Sequence, residues 1–300
     1  MTFSGGRRWS LTPAVSFVLI EQRNMINGKT IGVGIITHNR PDELIKLYRS
    51  LPLDILDELV IVNDGRLFSE FHEITHTLIN NPENLGVGKS KNIALRYLHE
   101  RNVDHFFLIE DDVFIKNKSV FERYIQASKI SGIQHFMFSQ ATPACLDDVV
   151  KAKMNADYAG GRIQLYQTCD GAFVYYSKAC IDRVGYMDET YYNALEHVDH
   201  TLAIINAGMH PPFWYFADID NSKEFIGFDH KDFEHSTIFS QENYTKNQKA
   251  ALNYFRDKHG VRVKDVPDLG PTETLKILKD IKRRHAKPVL FQTKTRQTRR

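Results

Sequence analysis

The sequence predicts an α/β fold with a mostly parallel central sheet, on three observations. Short, nearly continuous apolar runs alternate with segments of helical period over the first 115 residues. The runs have strand length and lack the two-residue alternation of a sheet with one wet face. The polar clusters fall directly after the runs, at the carboxyl ends where open α/β sheets bind ligands.

Residues 30–37, TIGVGIIT, are β-branched and almost wholly apolar, and read as a strand buried on both faces. Pro41 then opens a helix with Leu44, Leu47, Tyr48 and Leu51 on one stripe. A second strand, 58–62, ends in Asn63-Asp64-Gly65, and 78–80 is a weaker third. The stretch 84–88 leads into a helix over 89–101, with Ile93, Leu95, Tyr97 and Leu98 apolar. A fourth strand, 105–109, runs into Glu110-Asp111-Asp112. Strands separated by helices imply right-handed crossovers. The second half is less regular. It predicts strands at 134–139 and 172–176, an extended stretch at 213–217, and helices near 196–207, 244–259 and 272–284. Loops are expected over 146–161 and 220–240.

Composition narrows the class. Of 300 residues, 42% are hydrophobic and 25% charged, which excludes a disordered chain, a collagen-like fibre and a disulfide scaffold. A net charge of +2 creates no global field for nucleic acid. Cys145, Cys169 and Cys180 are too few for a disulfide framework, match no zinc spacing and fit a reducing compartment. No segment reaches the ~18 apolar residues of a membrane span. Arg7 and Arg8 before the apolar run 14–20 imitate a signal peptide faintly, but Glu21, Gln22 and Arg23 follow at once. The expected location is cytoplasmic. Beyond Asp280 the chain carries only basic charge, from Lys282 to Arg300, which suits peripheral contact with the inner face of a membrane. The expected organisation is an extension over 1–28, a main domain over 29–240 and C-terminal helices over 241–285. The basic tail, 286–300, follows. The main domain divides into a nucleotide-binding half, 29–115, and an acceptor half, 116–240.

The motifs carry the chemistry. Glu110, Asp111 and Asp112 crowd three carboxylates at a strand end, which is costly without a cation. Mg²⁺ or Mn²⁺ favours one or two carboxylates plus substrate phosphates, so the group suits a metal-bridged nucleoside diphosphate. A solvated acidic turn is the plain alternative. Asp64 sits in a turn-forming triplet, and its carboxylate has the chemistry to accept a hydrogen bond from a pyrimidine imide. Residues 84–92, NLGVGKSKN, place Gly86, Lys89, Lys91 and Asn92 at a helix start, where backbone amides and lysines favour phosphate. The P-loop spacing is absent. Thr37, His38, Asn39 and Arg40 follow the first strand, with Arg40 placed to pair with phosphate. Glu196, His197 and Asp199 open a later helix and are candidate bases toward an acceptor hydroxyl. Helix-dipole charge is their alternative reading. His230 and His235, in the loop that follows, are candidate further metal ligands.

In this order, the motifs resemble those of nucleotide-diphospho-sugar glycosyltransferases of the GT-A fold, family 2 especially, over about residues 30–210. Thr37-His38-Asn39-Arg40 is similar to T-x-N-R after strand one, and Asp64-Gly65 to the D-G turn that holds uracil. The run from Asn84 to Ala94 is similar to N-x-G-x-x-x-A-R-N-x-G, with Lys91 for the arginine and Ala94 for the last glycine. Glu110-Asp111-Asp112 resembles the D-x-D metal motif, and Asp170-Gly171-Ala172-Phe173 through Asp188-Glu189 the acceptor-side segment. The resemblance implies a GT-A αβα sandwich with a helical C-terminal extension. It implies sugar transfer from a nucleoside diphosphate donor, most simply a UDP-sugar, to a glycan or other hydroxyl acceptor, with inversion, in surface glycan synthesis. Asp112 would be the main Mn²⁺ or Mg²⁺ ligand, supported by Glu110, with Asp111 toward ribose. Asp170 and Gly171 would face the acceptor. The family's catalytic aspartate aligns with His197. Glu196 or Asp199 is the favoured base, and His197 the alternative. A nucleotidyltransferase would place a Gly-rich loop after strand one, where Thr37-His38-Asn39-Arg40 stands instead. A non-enzymatic protein using the basic tail on nucleic acid or anionic lipid is the other alternative; RNA-reading aromatics are not interleaved there.

Overall fold

The structure, a computed structural model, describes residues 28–139, 150–228 and 243–286. In chain order its elements begin with β1 (Ile31–Thr37), α1 (Pro41–Ser50), β2 (Glu58–Asn63), β3 (Thr77–Asn80), α2 (Val87–Glu100) and β4 (His105–Glu110). There follow β5 (Val113–Ile115), α3 (Val120–Ser131), β6 (His135–Met137), β7 (Met154–Tyr158), β8 (Gly161–Tyr166), β9 (Phe173–Ser177) and α4 (Lys178–Val184). The rest are α5 (Glu196–Asn206), β10 (Phe216–Ile219), β11 (Ile226–Phe228), α6 (Tyr244–His259) and α7 (Gly270–His285).

Six strands form the central sheet in the order β3-β2-β1-β4-β9-β6. β1 to β4 are mutually parallel, as the apolar runs predict. β9 alone runs antiparallel, between β4 and β6. Register sets the functional edge. Thr37 lies opposite Asn63, and Ile36 opposite Glu110, so the carboxyl ends of β1, β2 and β4 finish together. Because β9 is reversed, its start meets that edge: Phe173 pairs with Ile109, and the Glu110 amide donates to the Ala172 carbonyl at 2.8 Å. Asp170 and Gly171 arrive there by this route.

Side chains alternate across each strand, so the sheet builds a core on each face. Ile31, Val33 and Ile35 pack with Leu44, Leu47 and the aromatics of α3. On the other face Ile36, Val60, Val62 and Leu108 meet Ala94, Leu95 and Leu98 of α2. The intervening β1 positions on that face are glycines because α2 lies very close. A Cβ at Gly34 would stand 2.7 Å from the Ala94 Cβ, and one at Gly32 2.8 Å from Leu98.

The second half departs from expectation. The loop expected over 146–161 contains β7, which forms a hairpin with β8 and then pairs β8 to β10. β5 and β11 form a small separate ribbon, inside a stretch expected to be loop at its later end. Helices α3 and α4 were not predicted. The extended stretch expected at 213–217 is shifted, the strand being Phe216–Ile219. No helix among the described residues is long and apolar enough to cross a membrane.

Candidate active site

The acidic triplet leaves β4 at the common edge, and each carboxylate meets a different fate. Asp111 turns inward, 7% exposed, accepting from the Thr37 hydroxyl at 2.7 Å and from Arg40 Nη1 at 2.8 Å. Burial lifts its pKa to about 6, with Arg40 and Thr37 holding it from rising further. Thr37 and Arg40 therefore serve the triplet. Glu110 takes a 2.6 Å ion pair from Lys91. Asp112 is left: its Oδ1 is buried with no hydrogen-bond partner among the described residues. Burial, then the charges of Glu110, Asp111 and Asp170, push its carboxyl well above the usual range.

Lys91 is wholly buried. Besides Glu110 it contacts Glu196 Oε1 at 3.1 Å and the Gly171 carbonyl at 3.3 Å. Burial opposes its charge, but Glu110 and Glu196 outweigh burial and its pKa is raised. Glu196 is 2% exposed at the first position of α5. Burial would raise its pKa; the charges of Lys91 and His197 lower it instead. His197 Nδ1 lies 3.0 Å from the same Oε1. Burial pulls the His197 pKa down, but the Glu196 charge and hydrogen bond prevail and raise it. The ring keeps 23% exposure, and its Nε2 makes no hydrogen bond among the described residues. Asp170, whose carboxyl burial lifts to about 6, accepts from the Ala172 amide and adds negative charge beside His197.

Gly171 is where these parts meet. A Cβ there would stand 2.9 Å from Lys91 Nζ and 3.1 Å from His197 Cγ and Nδ1. Any side chain would push the lysine or the imidazole away.

Other expected site residues are placed differently. Asp64 is 3% exposed, and its carboxylate accepts from Asn81 Nδ2 at 2.7 Å and from the Leu85 and Gly86 amides at 2.8 and 2.9 Å. The anion at the start of α2 is thus Asp64 itself, and those amides are occupied without a phosphate. Lys91, expected beside phosphate, is instead buried between carboxylates. Asn92 faces away, clasping Met187 through its amide and carbonyl, both at 2.9 Å, and Glu189 at 3.0 Å. Asp199 does not join the group either. It accepts from Lys258 Nζ at 2.8 Å, from His259 Nε2 at 2.7 Å and from the Tyr191 hydroxyl at 3.2 Å, and so fastens α6 to α5. Lys89 is exposed, and Asn39, at φ 58°, accepts from the Arg66 amide at 2.9 Å. His230 and His235 lie outside the described residues.

The Lys91–Glu196 link was missed by sequence reasoning, yet one signal carries it. Lys91, Ala94, Leu95 and Leu98 share one helical stripe, which buries a lysine and obliges it to find acids.

Among the described residues no group of three or more ligating side chains stands ready to hold a metal. Asp111 is spent on Thr37 and Arg40, and Glu110 on Lys91. Asp112 alone presents an orphaned, buried oxygen amid negative charge. Such a donor set fits a hard divalent ion that takes most of its ligands from phosphate and water.

No family profile matches the chain. An uncharacterised glycosyltransferase of Acanthamoeba polyphaga mimivirus is 25% identical over 217 residues, covering 67% of this chain and 80% of the relative. Among solved structures, S. aureus TarS residues 1–349 in complex with UDP-GlcNAc is 14% identical with a TM-score of 0.47, over 84% of this chain and 71% of that one. Against a longer TarS chain the match spans only 43% of its length and 76% of this chain, again at 14% identity and with a TM-score of 0.46. Glucosyl-3-phosphoglycerate synthase from Mycobacterium tuberculosis, with Mn²⁺ and UDP, is 11% identical with a TM-score of 0.44, over 60% of this chain and 67% of that one. Motif order, the parallel sheet and the sequence likeness to the viral protein agree: the chain is similar to glycosyltransferases with the GT-A fold.

Proposed function

We propose that the chain transfers a sugar from a nucleoside diphosphate donor, a UDP-sugar in the simplest case, to an acceptor hydroxyl with inversion. The observation that carries this reading is Asp112: an unpartnered, buried carboxylate oxygen at the edge where three parallel strands end. Asp112 would hold Mg²⁺ or Mn²⁺, with Glu110, paired to Lys91, adding negative charge beside it. A bound ion there supplies Lewis-acid stabilisation of the diphosphate as it departs. Arg40 and Thr37 orient the triplet through Asp111. The Asp64 brace shapes the loop on which a nucleoside would rest.

His197 is the base this geometry favours, over Glu196 and Asp199. Burial would raise the Glu196 pKa, but Lys91 and the His197 ring on Oε1 lower it, so it is a poor proton acceptor. Asp199 is engaged by α6. The His197 side chain is partly exposed with Nε2 unbonded among the described residues, and Glu196 on Nδ1 stabilises the imidazolium that forms. The acceptor O–H gives its proton to Nε2 as its oxygen bonds the anomeric carbon, and the bond from that carbon to phosphate breaks. The acceptor class, a hydroxyl of a surface glycan, follows from the motif resemblance.

Nucleoside diphosphate release from a panel of UDP-, GDP- and dTDP-sugars with Mn²⁺ or Mg²⁺ tests the reading. One donor should turn over, and Asp112→Asn should abolish that turnover while the fold persists. Undiminished turnover of Asp112→Asn at saturating Mn²⁺ would sink the metal role.

A further inference from the structure

A lysine and an imidazole share one carboxylate oxygen. Lys91 Nζ and His197 Nδ1 lie 3.1 and 3.0 Å from Glu196 Oε1, although the three residues come from α2 and the start of α5, 105 positions apart. A buried lysine on a strand-facing helix stripe is costly unless paired. Glu110 at 2.6 Å already provides one partner. The second contact, to Glu196, ties the lysine to the imidazole, and Gly171 keeps the gap so narrow that no side chain fits.

We propose that Lys91 is a positioning residue for His197: held on the oxygen that the imidazole also uses, it locks the Glu196–His197 pair against Gly171 and tempers the grip of Glu196 on the ring proton. This rests on the reading of His197 as the base and deepens it. The charged groups that act on the ring are Glu196 of α5, Asp170 before β9, and Lys91 of α2; His135 of β6 feels the imidazole in turn. Glu196 and Asp170 favour the protonated ring, and Lys91 disfavours it. Glu196 alone would favour the protonated ring more strongly. With Lys91 sharing the carboxylate, the ring stays oriented and a larger fraction is neutral.

Histidine titration by NMR on the full chain, without substrate, tests this. His197→Asn identifies the resonance by its loss. Glu196→Gln should move the His197 midpoint down, and Lys91→Met should move it up, each on the order of one pH unit. Lys91→Gln should also move it up, and replaces Lys91→Met if the latter does not fold by circular dichroism. Lys91→Arg should keep the midpoint near wild type. An unchanged or lowered midpoint in a folded, neutral Lys91 variant overturns the proposal, because a lysine that only fills the core would leave the ring untouched. In turnover assays the acid limb of kcat/KM should follow the same displacements. The NMR arm needs no turnover. Midpoints that move as stated while no donor is consumed would retain the Lys91 link and reject sugar transfer. Active enzyme with an immobile midpoint would do the reverse.

Discussion

At the start of α5, Lys91 stands between Glu110 and Glu196, with His197 on the latter. Three residues further on, Lys258 stands between Asp188 and Asp199, with His259 on the latter. One lysine, two carboxylates and one imidazole make each arrangement, with distances between 2.6 and 3.1 Å. Their surroundings differ. The Lys91 side chain is 0% exposed and the Lys258 side chain 32%. The first arrangement joins the sheet edge to α5 beside an unpartnered carboxylate. The second, beside Tyr191 and Tyr254, straps α6 to α5 with Ala251 and Phe255 buried beneath. Water screens the second pair and leaves the first at nearly full strength. The same chemistry thus forms the buried group we propose as the reactive centre in one place and a fastening in the other, and burial separates them.

Several measurements separate the two. The largest effect is catalytic. His197→Ala should lower kcat about 10²- to 10⁴-fold, the usual worth of a positioned base, while His259→Ala leaves kcat within a few-fold. Diphosphate release at saturating donor reads both. Equal losses would erase the distinction. Next comes stability. Lys91→Met strands the buried Glu196 and unpairs the half-buried Glu110, and should cost about 3–5 kcal/mol by urea unfolding. Lys258→Met, in a partly solvated pair, should cost about 1 kcal/mol or less. The smallest effect is in pH dependence. Burial raises Asp111 and Asp170 to about 6, so the folded chain holds their protons more tightly than the unfolded one. Their favourable contribution is complete below the unfolded carboxylate value near ~3.9 and is lost as pH climbs through about 6. Asp188 behaves oppositely. Burial would raise its pKa, but Lys258 and neighbouring donors depress it, so its contribution is present above ~3.9 and disappears in acid. Asp170→Asn should therefore flatten the fall in Tm between about pH 4 and 6.5, and Asp188→Asn should flatten the fall in acid.

The first half of the fold was legible because burial on both faces writes a plain signal. The runs at 31–36, 59–62 and 106–109 are apolar throughout, and the strands of the structure extend them by a residue or so. The β7–β8 hairpin was illegible for the converse reason: in MNADY only Ala156 is buried, so the strand reads as a polar loop. α3 is buried at eight of its twelve positions and shows no clear stripe. In the site, the acidic triplet announced itself, as did the residue types at 196–199. Their allotment did not. Glu196 and Asp199 lie one helical turn apart on α5, and only the tertiary partners Lys91 and Lys258, from distant segments, assign one to the reacting edge and the other to α6. Asp64 misled in a similar way, since its acceptors are consumed by amides of a loop some twenty residues on.

The reversed direction of β9 has an architectural outcome. In an all-parallel sheet, each strand delivers only the residues that follow it to the reactive rim. Here one strand delivers those that precede it, and Asp170 and Gly171 reach the rim ahead of their own strand. The incoming connection, from the β7–β8 hairpin to Phe173, is therefore modular: insertions or exchanges there would reshape this end of the rim, while the four parallel strands and their own trailing loops stay untouched.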